Sequence, residues 1–286
     1  MEVDIYIVSF SAHRDFLNKY LRMMQTKSKK ILIVHSWESP YSIVREGFDY
    51  HNSEEKFFHW SVSYYKSSFF HIPYGHYKKK AKNQKEKHTD LNKMFSQKKN
   101  AALVIISNCF CTNSIRLEYI KNLEKYITID KFGGCYKNKI GTKQRIEKLS
   151  KYKFYLSFEN TQCQEYITEK YWDTVQYGTI PIVMGYGKKL NDLIPDSYIN
   201  VFDFPNPKSL AEYLIFLSKN ETAYSKYHKW RKYYSAHNYR ADACKFLSKI
   251  TKLMQNPISE DLTVHLLQDK SICLSLEDQK NLILKN

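Results

Sequence analysis

Apolar residues along the chain fall into two rhythms. Short continuous runs, such as Ala102-Leu103-Val104-Ile105-Ile106 and Ile180-Pro181-Ile182-Val183-Met184, leave no polar face for water. Strands of that kind lie inside parallel sheets covered by helices on both faces. Such runs predict strands over 3–8, 31–35, 69–72, 102–107, 126–130, 153–158, 179–184 and 198–202. Between them, apolar positions three and four apart predict helices over 12–25, 113–124, 142–150, 168–177, 207–219 and 222–253. The helix over 168–177 is punctuated at both ends, by Thr168 as a cap and by Gly178 just past its last turn. Strand and helix in alternation predict an α/β architecture.

A chain of 286 residues, 43% of them hydrophobic, suits two α/β lobes better than one small core. The stretch 78–99 is rich in Lys, Asn and Gln and reads as an exposed loop or linker. The division is therefore expected near residue 100. Residues 1–100 make a first lobe with few strands, 101–254 a full doubly wound lobe, and 255–286 a polar, weakly periodic tail. The run Met1–Val8 carries two acids and no basic region, so it reads as a strand and not a signal peptide. There is no apolar run of about 18 residues, hence no transmembrane segment is expected in this chain.

The net charge is +16, from 45 Lys+Arg against 29 Asp+Glu. An anionic ligand, an anionic membrane, nucleic acid or a merely lysine-rich solvated surface would each produce it. The many tyrosines could stack on bases, but the lysines are scattered and no RNA-binding motif occurs, so nucleic acid is not expected as a partner. Six cysteines include no CxxC pair, which argues against a zinc ribbon or a thioredoxin motif. Cys109-Phe110-Cys111 could be half of a metal site; disulfides or buried thiols are the plainer reading.

Three stretches carry candidate chemistry. Lys153–Asn160, then Thr161–Glu165, then Tyr166–Trp172 read as strand, polar loop and helix start. Ligands bind at the carboxyl ends of parallel strands, and a helix start offers free N–H groups and about half a positive charge to phosphate. Lys170 opposes that dipole, which makes sense if a diphosphate arrives, and Glu169 can accept from sugar hydroxyls. The alternative is an ordinary capped helix with a surface Glu–Lys pair. Ile106–Cys109 and Asn113–Leu117 again end a strand and open a helix, with Arg116 placed to fork onto phosphate oxygens or simply to face solvent. His35-Ser36-Trp37-Glu38-Ser39-Pro40 follows a strand, and Glu38 is either a general base or a solvated turn residue. No Asp-x-Asp occurs, so cationic side chains would have to neutralise a leaving diphosphate.

At these residues the chain resembles the α1,3/4-fucosyltransferases, glycosyltransferase family 10. The resemblance lies in Lys153–Gly185 and Ile106–Cys135, with Trp37–Pro40, Trp60–Tyr64 and Pro73-Tyr74-Gly75 in the same order, over roughly residues 30–235. It implies a GT-B fold: two Rossmann-like lobes with the active site in the cleft between them, the N-terminal lobe here incomplete. It implies inverting transfer of L-fucose from GDP-β-L-fucose to a GlcNAc hydroxyl, of N-acetyllactosamine or of the N-glycan core. By resemblance Glu38 is the catalytic base, Arg116 and Lys170 hold the diphosphate, and Asn160, Tyr166 and Glu169 contact ribose and fucose. No metal site and no required cofactor are implied, with manganese at most a stimulant. The family resides in the Golgi; this sequence shows no anchor or signal, as a fragment or a soluble form would. Where the family carries Tyr-Arg-x-Asp-Ser-Asp, this chain has Tyr64-Tyr65-Lys66-Ser67-Ser68-Phe69. That departure keeps a catalytically impaired homologue as an alternative.

Overall fold

The buried runs become two parallel sheets in a computed structural model that describes residues 4–9, 30–45, 59–81, 91–110, 113–187, 190–239, 242–255 and 269–285. The chain divides into two compact units, Met1–Pro73 with Tyr239–Ile272, and Tyr74–Asn238 with Cys273–Asn286. The first boundary thus falls after Pro73, where the sequence places it near residue 100.

In the first unit, β1 (Asp4–Ser9), β2 (Lys30–Ser36), β3 (Trp60–Ser63) and β4 (Phe70–His71) pair in that order, all parallel. Helix α1 (Pro40–Arg45) follows β2. Ile33, Trp60, Val62, Phe69, Ile72 and Ile250 form the core, with Trp60 stacked on Phe69 at 4.8 Å between centroids. The helix expected over 12–25 lies outside the described residues.

The second unit contains β5 (Gly75–Lys79), α2 (Leu91–Ser96), β6 (Lys99–Ile105), α3 (Arg116–Leu123), β7 (Ile129–Phe132), α4 (Thr142–Lys151) and β8 (Tyr152–Phe158). It continues through α5 (Glu169–Gln176), β9 (Ile180–Met184), β10 (Ile199–Asn200), α6 (Pro207–Lys219), α7 (Glu221–Lys226) and β11 (Tyr234–Asn238), and ends with α9 (Leu276–Ile283). Its main sheet runs β10-β9-β8-β6-β7, every pair parallel. Strand β8 is buried at all seven positions and β9 at all five, as apolar runs require when helices cover both faces. From β6 the chain goes one way to β7 and the other way to β8. The order therefore reverses between β6 and β8, which opens a crevice at their carboxyl ends.

Three expectations are corrected. The helix over 222–253 is α7, a 3₁₀ turn at Lys229–Lys232, strand β11 and then α8 (Ala243–Gln255), which belongs to the first unit. Strand β11 forms because β5 pairs with it antiparallel, Gly75 opposite Asn238, and that partner lies too far away in sequence for local periodicity to register. The lysine-rich 78–99 holds regular structure at both ends, in β5, α2 and the start of β6. The polar tail carries α9, with Gln279 and Ile283 fully buried. Disulfides join Cys109 to Cys135 and Cys163 to Cys273, and Cys244 is free and exposed. Cys111 lies outside the described residues, so only Cys109 of the candidate half-site is placed.

Candidate functional site

Strand β8 ends at Phe158, and the next residue, Glu159, turns its carboxylate inward, where it is 1% exposed. Such a carboxylate persists only with donors around it. Glu159 Oε1 accepts from Thr168 N at 2.9 Å, both carboxylate oxygens lie within 3.0 Å of Thr168 Oγ1, and Oε2 accepts from Lys170 Nζ at 3.0 Å. Thr168 also caps α5, its hydroxyl accepting from Lys170 N, as the sequence predicts. The capping residue, the buried acid and the lysine are therefore one unit. Lys170 Nζ reaches Thr168 Oγ1 at 2.9 Å and Glu169 Oε1 at 3.4 Å as well. Burial opposes the charge on Lys170, but Glu159 and Glu169 outweigh it and hold the ammonium above its ordinary range. Burial pushes the Glu159 carboxyl up, against the pull of Lys170. Glu169 is half-exposed; desolvation works to raise it, yet Lys170 and Arg145 hold it below the usual carboxylate range. Arg145, on α4, is fixed by an ion pair with Asp173 on α5.

Arg116 opens α3 and is 2% exposed, so it is not the solvent-facing arginine of the simpler alternative. Its guanidinium spans the crevice: NH1 donates to Phe158 O at the end of β8 at 3.1 Å, and NH2 to Asn108 O beyond β6 at 2.5 Å. Desolvation lowers its pKa, and the charge of Glu159 counters that. Both cations are thus tied to one buried acid, Lys170 by contact and Arg116 through its field. Around them lie buried polar atoms without a hydrogen-bond partner: Arg116 Nε, Tyr119 OH, Tyr136 OH, Asn160 Oδ1, Thr161 Oγ1 and Gln162 Oε1. Buried polar groups are rarely left so, and three in succession after β8, at Asn160, Thr161 and Gln162, make that loop a candidate place for a polar ligand.

Of the expected donor residues, Arg116, Asn160, Tyr166, Glu169 and Lys170 all lie in the second unit, on the loops and helix starts after β6 and β8. Tyr166 is 2% exposed and meets Tyr74 edge-on at 6.1 Å. Glu38 belongs to the first unit. There it is exposed on the turn between β2 and α1, its N–H donating to Ser36 Oγ at 3.0 Å beside Trp37, whose indole N–H donates to Ile72 O at 2.9 Å. The residue missing from the sequence-derived set is Glu159. The sequence offers little signal for it: an acid directly after a buried strand, where a glutamate ordinarily reads as solvated. Among the described residues no group of three or more His, Cys, Asp or Glu could hold a metal ion. Gly133 and Gly134 have a local cause: a Cβ at Gly133 would lie 2.2 Å from Ile106 O, and Gly134 N donates to Ser107 Oγ beside the Cys109–Cys135 bridge.

Comparison with known proteins bears on this geometry. The family model "Glycosyltransferase family 10 (fucosyltransferase) C-term" matches residues 95–267. Alpha-(1,3)-fucosyltransferase 4 of Bos taurus is 33% identical over 184 residues, 63% of this chain and 46% of the relative. Glycoprotein 3-alpha-L-fucosyltransferase A of Drosophila melanogaster is 32% identical over 216 residues, 72% of this chain and 41% of the relative. The chain therefore spans less than half the length of these curated relatives. A crystal structure of an alpha1,3-fucosyltransferase with GDP-fucose superposes with a TM-score of 0.57 at 19% identity, over 91% of this chain and 93% of that one. At that identity the likeness shows the fold, α/β of the GT-B type. The matched segment holds the whole crevice between β6 and β8 and its two tied cations, and the chain belongs to glycosyltransferase family 10, the fucosyltransferases.

Proposed function

We propose that the chain transfers L-fucose from GDP-β-L-fucose, with inversion, to a GlcNAc hydroxyl of a glycan, in α1,3 linkage, as a step of protein glycosylation. The observation that carries this reading is the Arg116 guanidinium bridging the carboxyl ends of β6 and β8 next to the Glu159–Lys170 pair. A leaving diphosphate needs fixed positive charge where its own charge develops, and preorganised groups cost no rearrangement at that moment. Arg116 and Lys170 supply that charge. Asn160, Tyr166 and Glu169 orient ribose and fucose, and Glu38 takes the proton from the acceptor hydroxyl. With cations in that role the transfer requires no metal, and manganese acts only as a stimulant. The acceptor is N-acetyllactosamine or the N-glycan core GlcNAc; similarity to the fly glycoprotein 3-alpha-L-fucosyltransferase A supports a glycoprotein acceptor. Two disulfides suit an oxidising lumen, which supports work in the Golgi.

The test is transfer from GDP-fucose to a panel of glycan acceptors in EDTA and in manganese, with linkage analysis. Glu38→Gln should abolish transfer and leave GDP binding intact; full transfer by that variant removes Glu38 from the mechanism. A second reading, a donor-binding homologue impaired in transfer, is favoured by one feature. Tyr65, Ser67 and Phe69 stand where the family resemblance calls for an arginine and two aspartates, and Tyr65 and Phe69 are buried. GDP binding without transfer to any acceptor would decide for it.

A further inference from the structure

The strap from Cys273 into α9 lies beyond the residues that the family model matches. It is nevertheless bonded to both loops that carry candidate donor residues. One loop, 113–115, leads into Arg116. The other, 160–166, follows Glu159. Leu274 N donates to Gln162 O at 2.8 Å, Leu274 O accepts from Asn113 Nδ2 at 2.9 Å, and Cys273 is bridged to Cys163. Gln279, fully buried, uses both ends of its amide. Oε1 accepts from Ile115 N at 3.1 Å, while Nε2 donates to Asn113 O at 3.2 Å and Leu274 O at 3.0 Å. The two loops also meet directly, through Gln162 Nε2 and Ser114 Oγ at 2.9 Å. Ser114 Oγ in turn accepts from Arg116 N at 3.3 Å.

We propose that Gln279 is a positioning residue for the donor site: its amide, on a strap locked by Cys163–Cys273, sets loop 113–115 and so the aim of Arg116 at the diphosphate of a nucleotide. The proposal rests on the reading of Arg116 as a donor-binding residue. Ile115 N is the donor immediately before Arg116, and α3 has no side-chain cap of its own. Without Gln279, Ile115 N and Asn113 O lose a buried partner and the loop must shift to regain one. A displacement of about 1 Å at a positioned group changes rates by around a hundredfold.

The experiment uses the full chain. Wild type and Gln279→Met are titrated with GDP by calorimetry, and transfer is measured against GDP-fucose and acceptor separately. The variant is expected to bind GDP about tenfold or more weakly, and to raise KM for GDP-fucose alike with KM for the acceptor unchanged. A lower melting temperature with unchanged GDP affinity and unchanged KM assigns Gln279 a purely structural part and overturns the proposal alone. A wild type that binds no GDP overturns the donor-site reading, and the proposal with it. Should Gln279→Met not yield folded protein, Cys273→Ser, which frees the strap and keeps the amide, takes the same titration. Weaker GDP binding is expected there too, and unchanged binding refutes the idea.

Discussion

Glu159 sits where a carboxylate is costly, yet three donor groups converge on it. It holds the Lys170 ammonium charged and favours the charge on Arg116. Glu159→Gln keeps the shape and removes the charge. Breaking a fully enclosed ion pair from one side costs about 3–5 kcal/mol. Lys170 retains Glu169 and a path to solvent, so a loss of roughly 2–3 kcal/mol is expected in urea unfolding, together with weaker GDP binding in calorimetry. Wild-type stability in this variant would show that the pair carries no load. This residue was hard to single out from sequence. A glutamate at a strand end reads as solvated, and what buries it is Thr168, nine residues on, folding back over it. Arg116 was legible as a candidate because it opens a helix after a buried strand. Its two carbonyl partners were not, since Phe158 O lies 42 residues away.

At the level of elements, most strands and helices of the second unit follow from local pattern, because the central strands are buried runs and the helices each bury one face. Strand β11 does not, since only β5 makes it a strand. The glycine of Pro73-Tyr74-Gly75 gains its reason here: a Cβ on Gly75 would lie 2.3 Å from the indole of Trp172 on α5. Gly75→Ala should cost about 1–3 kcal/mol through overpacking. Because α5 also carries Lys170, GDP affinity should fall with it, read by the same titration. Near the 3₁₀ turn after α7, His228 is buried with neither ring nitrogen partnered. Desolvation first, then Arg231 and Lys98, holds its pKa well below the ordinary histidine value. Lys98 itself is pushed down to about 8 by burial and by Arg231. The unfolded chain protonates His228 near pH 6.5 while the folded one refuses the proton. Its contribution is therefore present above about pH 6.5 and is lost as pH falls below it, by up to about 1.4 kcal/mol per pH unit. His35 is shifted the same way, so His228→Phe should flatten, not abolish, the acid side of a stability–pH curve measured by urea unfolding.

At the scale of the whole molecule, the two-lobe expectation holds in class, while its linear cut does not describe the units. The chain leaves the first unit at Pro73, returns at Tyr239 and departs again after Ile272. Composition along a line cannot show such a path, because each crossing is ordinary sequence. All the candidate donor residues lie in the second unit. GDP at about 100 times its dissociation constant should therefore stabilise that unit by about 2.7 kcal/mol in calorimetry. Absence of any shift would remove the nucleotide from the site. The bridge between Cys163 and Cys273 closes a sequence separation of 110 residues, against 26 for Cys109–Cys135. During synthesis at about 5–20 residues per second, Cys163 waits roughly 5–20 seconds for its partner to be made. Cys109 and Cys135 are both made before that interval begins, so Cys163 can encounter either before its own partner exists. Correct assembly of the candidate donor loops thus requires that Cys163 meet Cys273 and neither Cys109 nor Cys135.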